Sequence, residues 1–411
     1  MANWSELTVE LLGMIYDELS IFDYIRSKAV CKQWNLVCKL EHHRPPKPQA
    51  PWLMLPGDNN STAKFFSIVE KKIYNIPCPE PMIRTRIYIG SRHGWLTTVD
   101  RLCNMYLLNP LTGAQIPLPC VTTLQNLAFA RAGNKAWTSI SSPYCYTDII
   151  HHNARFYTIN YQRIVEAWEL DELAIRHSII NSDLPSHIFL GCICTYYLVE
   201  SLNTNLMLVY KFQNEWSPTD NPKNIMCMVF YLDELTLKWT RVKSLHEQTL
   251  FLDKNQSMCL STVDFPEFKQ NCIYYTDDML ELCGSYKYTK RHIGIFYLED
   301  EMIGLIDHLG HHLNWPPSLW LTPNSRRLSH TVGTLHDYWR GDLCGVTQRL
   351  SNCRVQDRSQ EIGQILGLLV SSLPENHGSC AGCTNYGMML PVLIGQESRT
   401  CYQNRPDSEG I

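Results

Sequence analysis

The chain has 411 residues, 45 % of them apolar and 18 % charged, and a formal net charge of −4. That length accommodates two or three domains with cores of their own. The slight acidic excess argues against a general nucleic-acid binder and against a protein held on an anionic membrane surface.

The first elements are helical. Leu7, Leu11, Leu12, Ile15 and Leu19 recur at helical spacing. Thr8 can cap the first turn through its hydroxyl. Ser20, with Asp23 three residues later, predicts a capping box for a second helix. The segment closes on Val30-Cys31-Lys32-Gln33-Trp34. Glu6, Glu10 and Asp17 lie among the apolar residues, with no basic start ahead of an apolar block, so the segment is not a secretory signal. Helices this short cannot enclose much core. Part of their apolar surface must therefore face the rest of the chain or a partner.

Pro45, Pro46, Pro48 and Pro51 follow, and four prolines so close together predict a stiff, extended connector. From Trp52 to about Asn324 the texture changes to short runs rich in Tyr, Phe, Val, Ile and Trp, punctuated by turns. A weak repeat runs through them. Met105 to Leu111, Ala167 to Leu173, Val229 to Leu235 and Ile295 to Asp300 align on leucines 108, 170, 232 and 298, spaced by 62, 62 and 66 residues. The hairpin Phe66 to Val69 and Ile73 to Ile76 adds a fifth unit. Each unit reads as an aromatic strand, an acidic or Asn-Pro turn, and a second strand. Four-stranded blades around an axis give such a signature, because one blade alone cannot bury both faces of its sheet. The expectation is therefore an α module followed by an all-β propeller of five or six blades. A sandwich of independent hairpins is the alternative.

From Ser325 onward the repeat stops; Ser325 to Gln360 is polar and basic, and the rest mixes a short apolar helix candidate with Gly- and Cys-bearing coil, so an extension of poor order is expected. The predicted domains are 1–40, a helical module; 41–51, a linker; 52–324, the propeller; and 325–411, the extension. No run reaches the about 20 apolar residues that span a bilayer. The longest, Ile362 to Leu373, is broken by Gly363, Gln364, Ser371 and Ser372.

Little in the sequence carries chemistry. The 17 cysteines, with no secretory signal, read as mostly small buried residues of a reducing compartment, so the cytoplasm, the nucleus or both are expected. Cys380-Ala381-Gly382-Cys383 is half a zinc site without a second pair. His42-His43, His151-His152 and His311-His312 are adjacent pairs, which point apart when they lie in a strand. Nucleophile-elbow, phosphate-loop and dinucleotide motifs are missing. No catalytic residue, cofactor or metal ligand is predicted.

The ordered string Leu7-Thr8-Val9-Glu10-Leu11-Leu12, Ile15, Leu19, Asp23, Arg26 and Val30-Cys31-Lys32-Gln33-Trp34 resembles an F-box. F-boxes usually carry Pro where this chain has Thr8. Gly90-Ser91-Arg92-His93-Gly94-Trp95-Leu96, Leu108-Asn109-Pro110-Leu111-Thr112-Gly113, Asp264-Phe265-Pro266, Asn271 to Asp278 and Trp320-Leu321-Thr322-Pro323-Asn324 extend the likeness. They are similar to a plant F-box family whose β domain is known as domain of unknown function 295. The resemblance implies a non-catalytic substrate-recognition subunit of a Skp–cullin–F-box ubiquitin ligase. Its implied partners are a Skp-type adaptor, a cullin reached through it, and an unidentified target protein, with neither nucleic acid nor membrane. The adaptor-facing residues would be Leu7, Leu11, Ile15, Leu19, Val30, Cys31 and Trp34, with Trp34 the main anchor. Two other readings stand beside it: an F-box-anchored binding module outside any ligase, and a propeller enzyme with carboxylates gathered at the central channel.

Overall fold

Two side-chain caps set the N-terminal helices. Thr8 Oγ1 accepts the Leu11 N–H at 3.5 Å and starts α1 (Val9–Glu18). Ser20 Oγ accepts the Asp23 N–H at 3.2 Å and meets Asp23 Oδ2 at 3.0 Å, the predicted capping box, and opens α2 (Ile21–Ser27). A 3-10 turn, Trp4–Glu6, precedes them and α3 (Lys32–Leu40) follows. Leu12, Tyr16, Val37 and Cys38 make the buried centre of this module.

The structure is a computed structural model. It describes residues 4–40 and, between 49 and 324, all but 56–61, 78–85, 101, 103, 121–126, 131–134, 143, 145, 161, 171–174, 181–191, 215–224, 254–256, 277–292 and 307–318. The predicted extension 325–411, with Cys380 and Cys383, and linker residues 41–48 lie outside the described residues.

Strands follow in blade-sized groups. The first group is β1 (Trp52–Leu55), β2 (Thr62–Ser67) and β3 (Lys72–Pro77); the second is β4 (Ile87–Arg92), β5 (Trp95–Val99), β6 (Met105–Leu108) and β7 (Gln115–Leu118). A small hairpin, β8 (Leu127–Phe129) and β9 (Thr138–Ile140), comes before β10 (Tyr146–His152), β11 (Arg155–Asn160), β12 (Val165–Leu170) and β13 (Ile175–Ile180). The fourth group is β14 (Cys192–Glu200), β15 (Leu206–Asn214), β16 (Ile225–Asp233) and β17 (Lys238–Val242). The fifth is β18 (Gln248–Leu252), β19 (Met258–Ser261), β20 (Cys272–Tyr275), β21 (Gly294–Tyr297) and β22 (Met302–Leu305), and β23 (Trp320–Leu321) ends the series. The result is a five-blade propeller, its sheets ordered β23-β1-β2-β3, β4 to β7, β10 to β13, β14 to β17, and β19-β18-β20-β21-β22. The fifth blade departs from the pattern, since β18 pairs parallel with β20.

The repeat seen in the sequence is a single structural position. β6, β12, β16 and β21 each lie two strands out from the start of a regular blade or at its equivalent in the fifth, so the aligned leucines lie at the end of that strand in three blades and one residue past it, at Leu298, in the fifth. The acidic or Asn residue after it has a mechanical use. Asn109 Oδ1 accepts the N–H groups of Leu111 and Thr112, and Asp233 Oδ1 those of Leu235 and Thr236. Asp300 Oδ1 does the same for Met302. These Asx turns reverse the chain into the outermost strand of the blade.

Ring closure comes from far along the chain. β23 pairs antiparallel with β1, Trp52 opposite Leu321 and Leu53 opposite Trp320, so the last strand completes the first blade. Trp320 is fully buried. Its indole N–H donates to Leu252 O at 3.2 Å, its backbone N–H to Asp253, and its carbonyl accepts from Ser91 Oγ at 2.8 Å. One residue thus joins the fifth, first and second blades. Nearby, the His93-Gly94 turn needs positive φ at both residues, +50° and +82°. A Cβ on Gly94 would come within 2.4 Å of Asn324 Cβ, so glycine is also demanded by contact.

The helical module is seated on this ring. Ile21 is buried in one cluster with Trp52, Phe65, Tyr74, Tyr88, Leu96, Leu108 and Leu321, and Phe22 and Ile25 pack against that cluster. The Phe22 ring lies 4.9 Å from that of Tyr74, which stacks on Trp52 at 4.7 Å. α2 therefore belongs to two cores, its own and that of the first two blades.

Candidate protein-docking surface

A helix that buries Leu12, Gly13 and Tyr16 must turn the positions near Leu11, Met14 and Glu18 outward, because successive residues step about 100° around the axis. Leu11 is 48 % exposed and Met14, one turn on, 66 % exposed. Glu10, Asp17 and Glu18 flank them in solvent. Val30, ahead of α3, and Leu36, on its outer side, are 60 % and 51 % exposed. Trp4 and Val9 add further open apolar surface. So many large apolar groups left open on some forty residues make this module the candidate docking surface.

The predicted contact residues divide by this geometry. Leu11 and Val30 are open to a partner. Leu7, Ile15, Leu19 and Trp34 are half-buried against the module's own centre, and Cys31 is half-buried. Trp34 is held from three sides. Its indole N–H donates to Trp4 O at 2.9 Å, the Tyr16 hydroxyl donates to its carbonyl at 2.9 Å, and its ring meets Tyr16 edge-on at 5.9 Å. It ties the 3-10 turn to α1 and α3. Met14, Leu36, Trp4 and Val9 were not singled out from the sequence. The available signal was the step of three from Leu11 to Met14, on the face opposite Leu12 and Tyr16.

On the propeller, charged groups gather where β4, β10 and β14 end. Contacts of β10 with β14, β14 with β19, and β23 with β4 make these the inner strands. Adjacent histidines diverge as the pattern predicts: His152 is buried while His151 is half-buried. His152 Nε2 lies 3.0 Å from Glu234 Oε1, and its Nδ1 3.3 Å from Glu200 Oε1. Burial alone would lower its pKa, but the two carboxylates outweigh that and raise it. Deeper in, Asp148 accepts the N–H of Leu198 at 2.6 Å and of Ile149 at 2.8 Å. Burial pushes its carboxyl up to about 7 against those hydrogen bonds. Asp148 and Asp253 are thus engaged with backbone N–H groups of neighbouring inner strands, which is a structural use of a carboxylate.

A family model described as KIB1-4 beta-propeller matches residues 65–126 and 121–297, together more than half of the chain. The chain belongs to the KIB1-4 β-propeller family. An F-box domain model matches residues 4–43, which contain the three helices and the open apolar face. The F-box protein At2g05970 of Arabidopsis thaliana is 24 % identical over 73 % of this chain and 89 % of its own length. At2g14290, from the same plant, is 38 % identical over 28 % of this chain and 33 % of its own. This member of the family is a plant F-box protein. Among solved structures, the N-terminal domain of Nup159 overlaps 61 % of this chain and 56 % of its own at 10 % identity, with a TM-score of 0.23 that carries no argument.

Proposed function

We propose that this chain is the substrate receptor of a Skp–cullin–F-box ubiquitin ligase, acting in the cytoplasm, the nucleus or both. The F-box docks on a Skp-type adaptor, and the propeller holds a target protein. The chain itself performs no chemistry; it supplies proximity, bringing a lysine of the target near the ubiquitin-loaded enzyme. The domain-of-unknown-function-295 pattern is, on this reading, the same propeller. The observation that carries the proposal is that an F-box leaves Leu11, Met14, Val30 and Leu36 open while Ile21, Phe22 and Ile25 are taken up by the propeller.

Co-purification with a plant Skp-type adaptor and a cullin tests it. Exposed apolar anchors at such interfaces are each worth about 2 kcal/mol, or about 30-fold in affinity. Leu11→Asp with Met14→Asp should therefore abolish capture while the chain stays folded. A folded intact chain that captures no adaptor would refute the reading. Adaptor capture without cullin would favour a binding module outside a ligase.

A further inference from the structure

We propose that Arg92, at the end of the inner strand β4, is a recognition point for an oxyanion, a carboxylate or phosphate group carried by the bound protein. The inference rests on the receptor reading above and adds the chemistry of what is bound. Arg92 ends the inner strand β4 and is half-buried. Its Nε–H donates to His93 Nε2 at 3.2 Å. Among the described residues its two terminal nitrogens make no hydrogen bond or ion pair, so the part of the guanidinium that reads an oxyanion two-pronged is left open.

The groups around it explain why the charge is available. Glu200, at the end of β14, acts on Arg92 electrostatically from beyond ion-pair distance. That carboxylate and Glu234 are already engaged by His152, at 3.3 and 3.0 Å. Asn153 also donates to Glu234, at 2.9 Å. His93 and His151 face Arg92 from the turn and from β10, and both have lowered pKa values, first from lost hydration and then from the Arg92 charge. At neutral pH they are uncharged, so Arg92 is the cation that the His152 clamp leaves unpaired.

The test is a proton NMR titration of the histidine resonances of the full chain, with inorganic phosphate in one arm and acetate in the other. An oxyanion seated on Arg92 offsets the smaller of the two effects that lower the His93 and His151 pKa values, the Arg92 charge, and leaves the larger one, lost hydration, in place. Both resonances should then move with saturation, and their pKa values should rise. In Arg92→Met, checked for an unchanged unfolding midpoint, the movement should disappear. A response to phosphate alone assigns a phosphorylated side chain, to acetate alone an Asp, Glu or chain terminus, and to both a general oxyanion seat. No response from the intact chain, or the same response from Arg92→Met, would overturn the proposal. Adaptor capture by the same preparation reports separately on the receptor reading.

Discussion

Replacing Trp320 by alanine asks whether the ring is held shut by a single side chain. Trp320 is 0 % exposed, packs edge-on against Phe251 at 5.0 Å and donates its indole N–H to Leu252 O at 3.2 Å. Truncating a fully buried large aromatic costs about 3–5 kcal/mol, and losing one buried hydrogen bond adds about 1 kcal/mol. The expected cost of about 4–6 kcal/mol is a large share of the about 5–15 kcal/mol that stabilises a typical domain. The backbone pairing of β23 with β1 survives the substitution, so the loss falls on the seam between the fifth and first blades. At about 2–4 °C per kcal/mol, the midpoint of thermal unfolding followed by circular dichroism should fall by about 8–24 °C. Trp320→Phe, which keeps a ring and loses the N–H, should cost about 1–2 kcal/mol. A Trp320→Ala midpoint within about 2 °C of the parent would refute the idea that this residue locks the ring.

Two further outcomes follow from the same reasoning. His152 has a raised folded pKa, so the stability it contributes is complete below about 6.5, its ordinary value, and is lost as pH rises through the folded value. Glu200, with a lowered pKa, gives stability present above its ordinary range and lost on acidification. The stability difference between parent and His152→Gln in urea should accordingly be larger at pH 6 than at pH 8; an identical difference at both would disprove the clamp. Phe22→Ala should loosen α2 from the first blade by about 1.4 kcal/mol, seen as about tenfold faster hydrogen exchange of α2 amides, and unchanged exchange would show that the contact carries no load.

Local chemistry was legible in the sequence and long-range contact was not. The Ser20–Asp23 box and the Thr8 cap could be read because both partners lie within one turn. The repeat also survived reading, since the second, fourth and fifth blades place an aromatic strand and an Asx turn at one structural position. Trp320-Leu321 stood out as a motif, but its pairing with Trp52 and Leu53 crosses the whole propeller, and nothing local encodes it. Adjacent Leu11 and Leu12 fit the helical pattern equally well; only packing decides that Leu12 is buried and Leu11 open. Trp34 shows the same limit, because a tryptophan that ties three elements together looks, in sequence, like one that awaits a partner. Ile21, Phe22 and Ile25 read as part of a short amphipathic helix, and their neighbours Trp52 and Tyr74 are supplied by a different domain.

That shared helix makes the F-box a poor candidate for exchange. A chimera carrying another F-box over residues 4–40 would uncover the Trp52–Tyr74 stack unless its second helix brought apolar residues equivalent to Ile21, Phe22 and Ile25. Lengthening the proline-rich segment would, for the same reason, change little about how the F-box sits on the propeller. The angle between the two halves is set by a packed joint at Ile21, Phe22 and Ile25. Substitutions on α2 or on the outer strand of the first blade are the ones that would shift this joint.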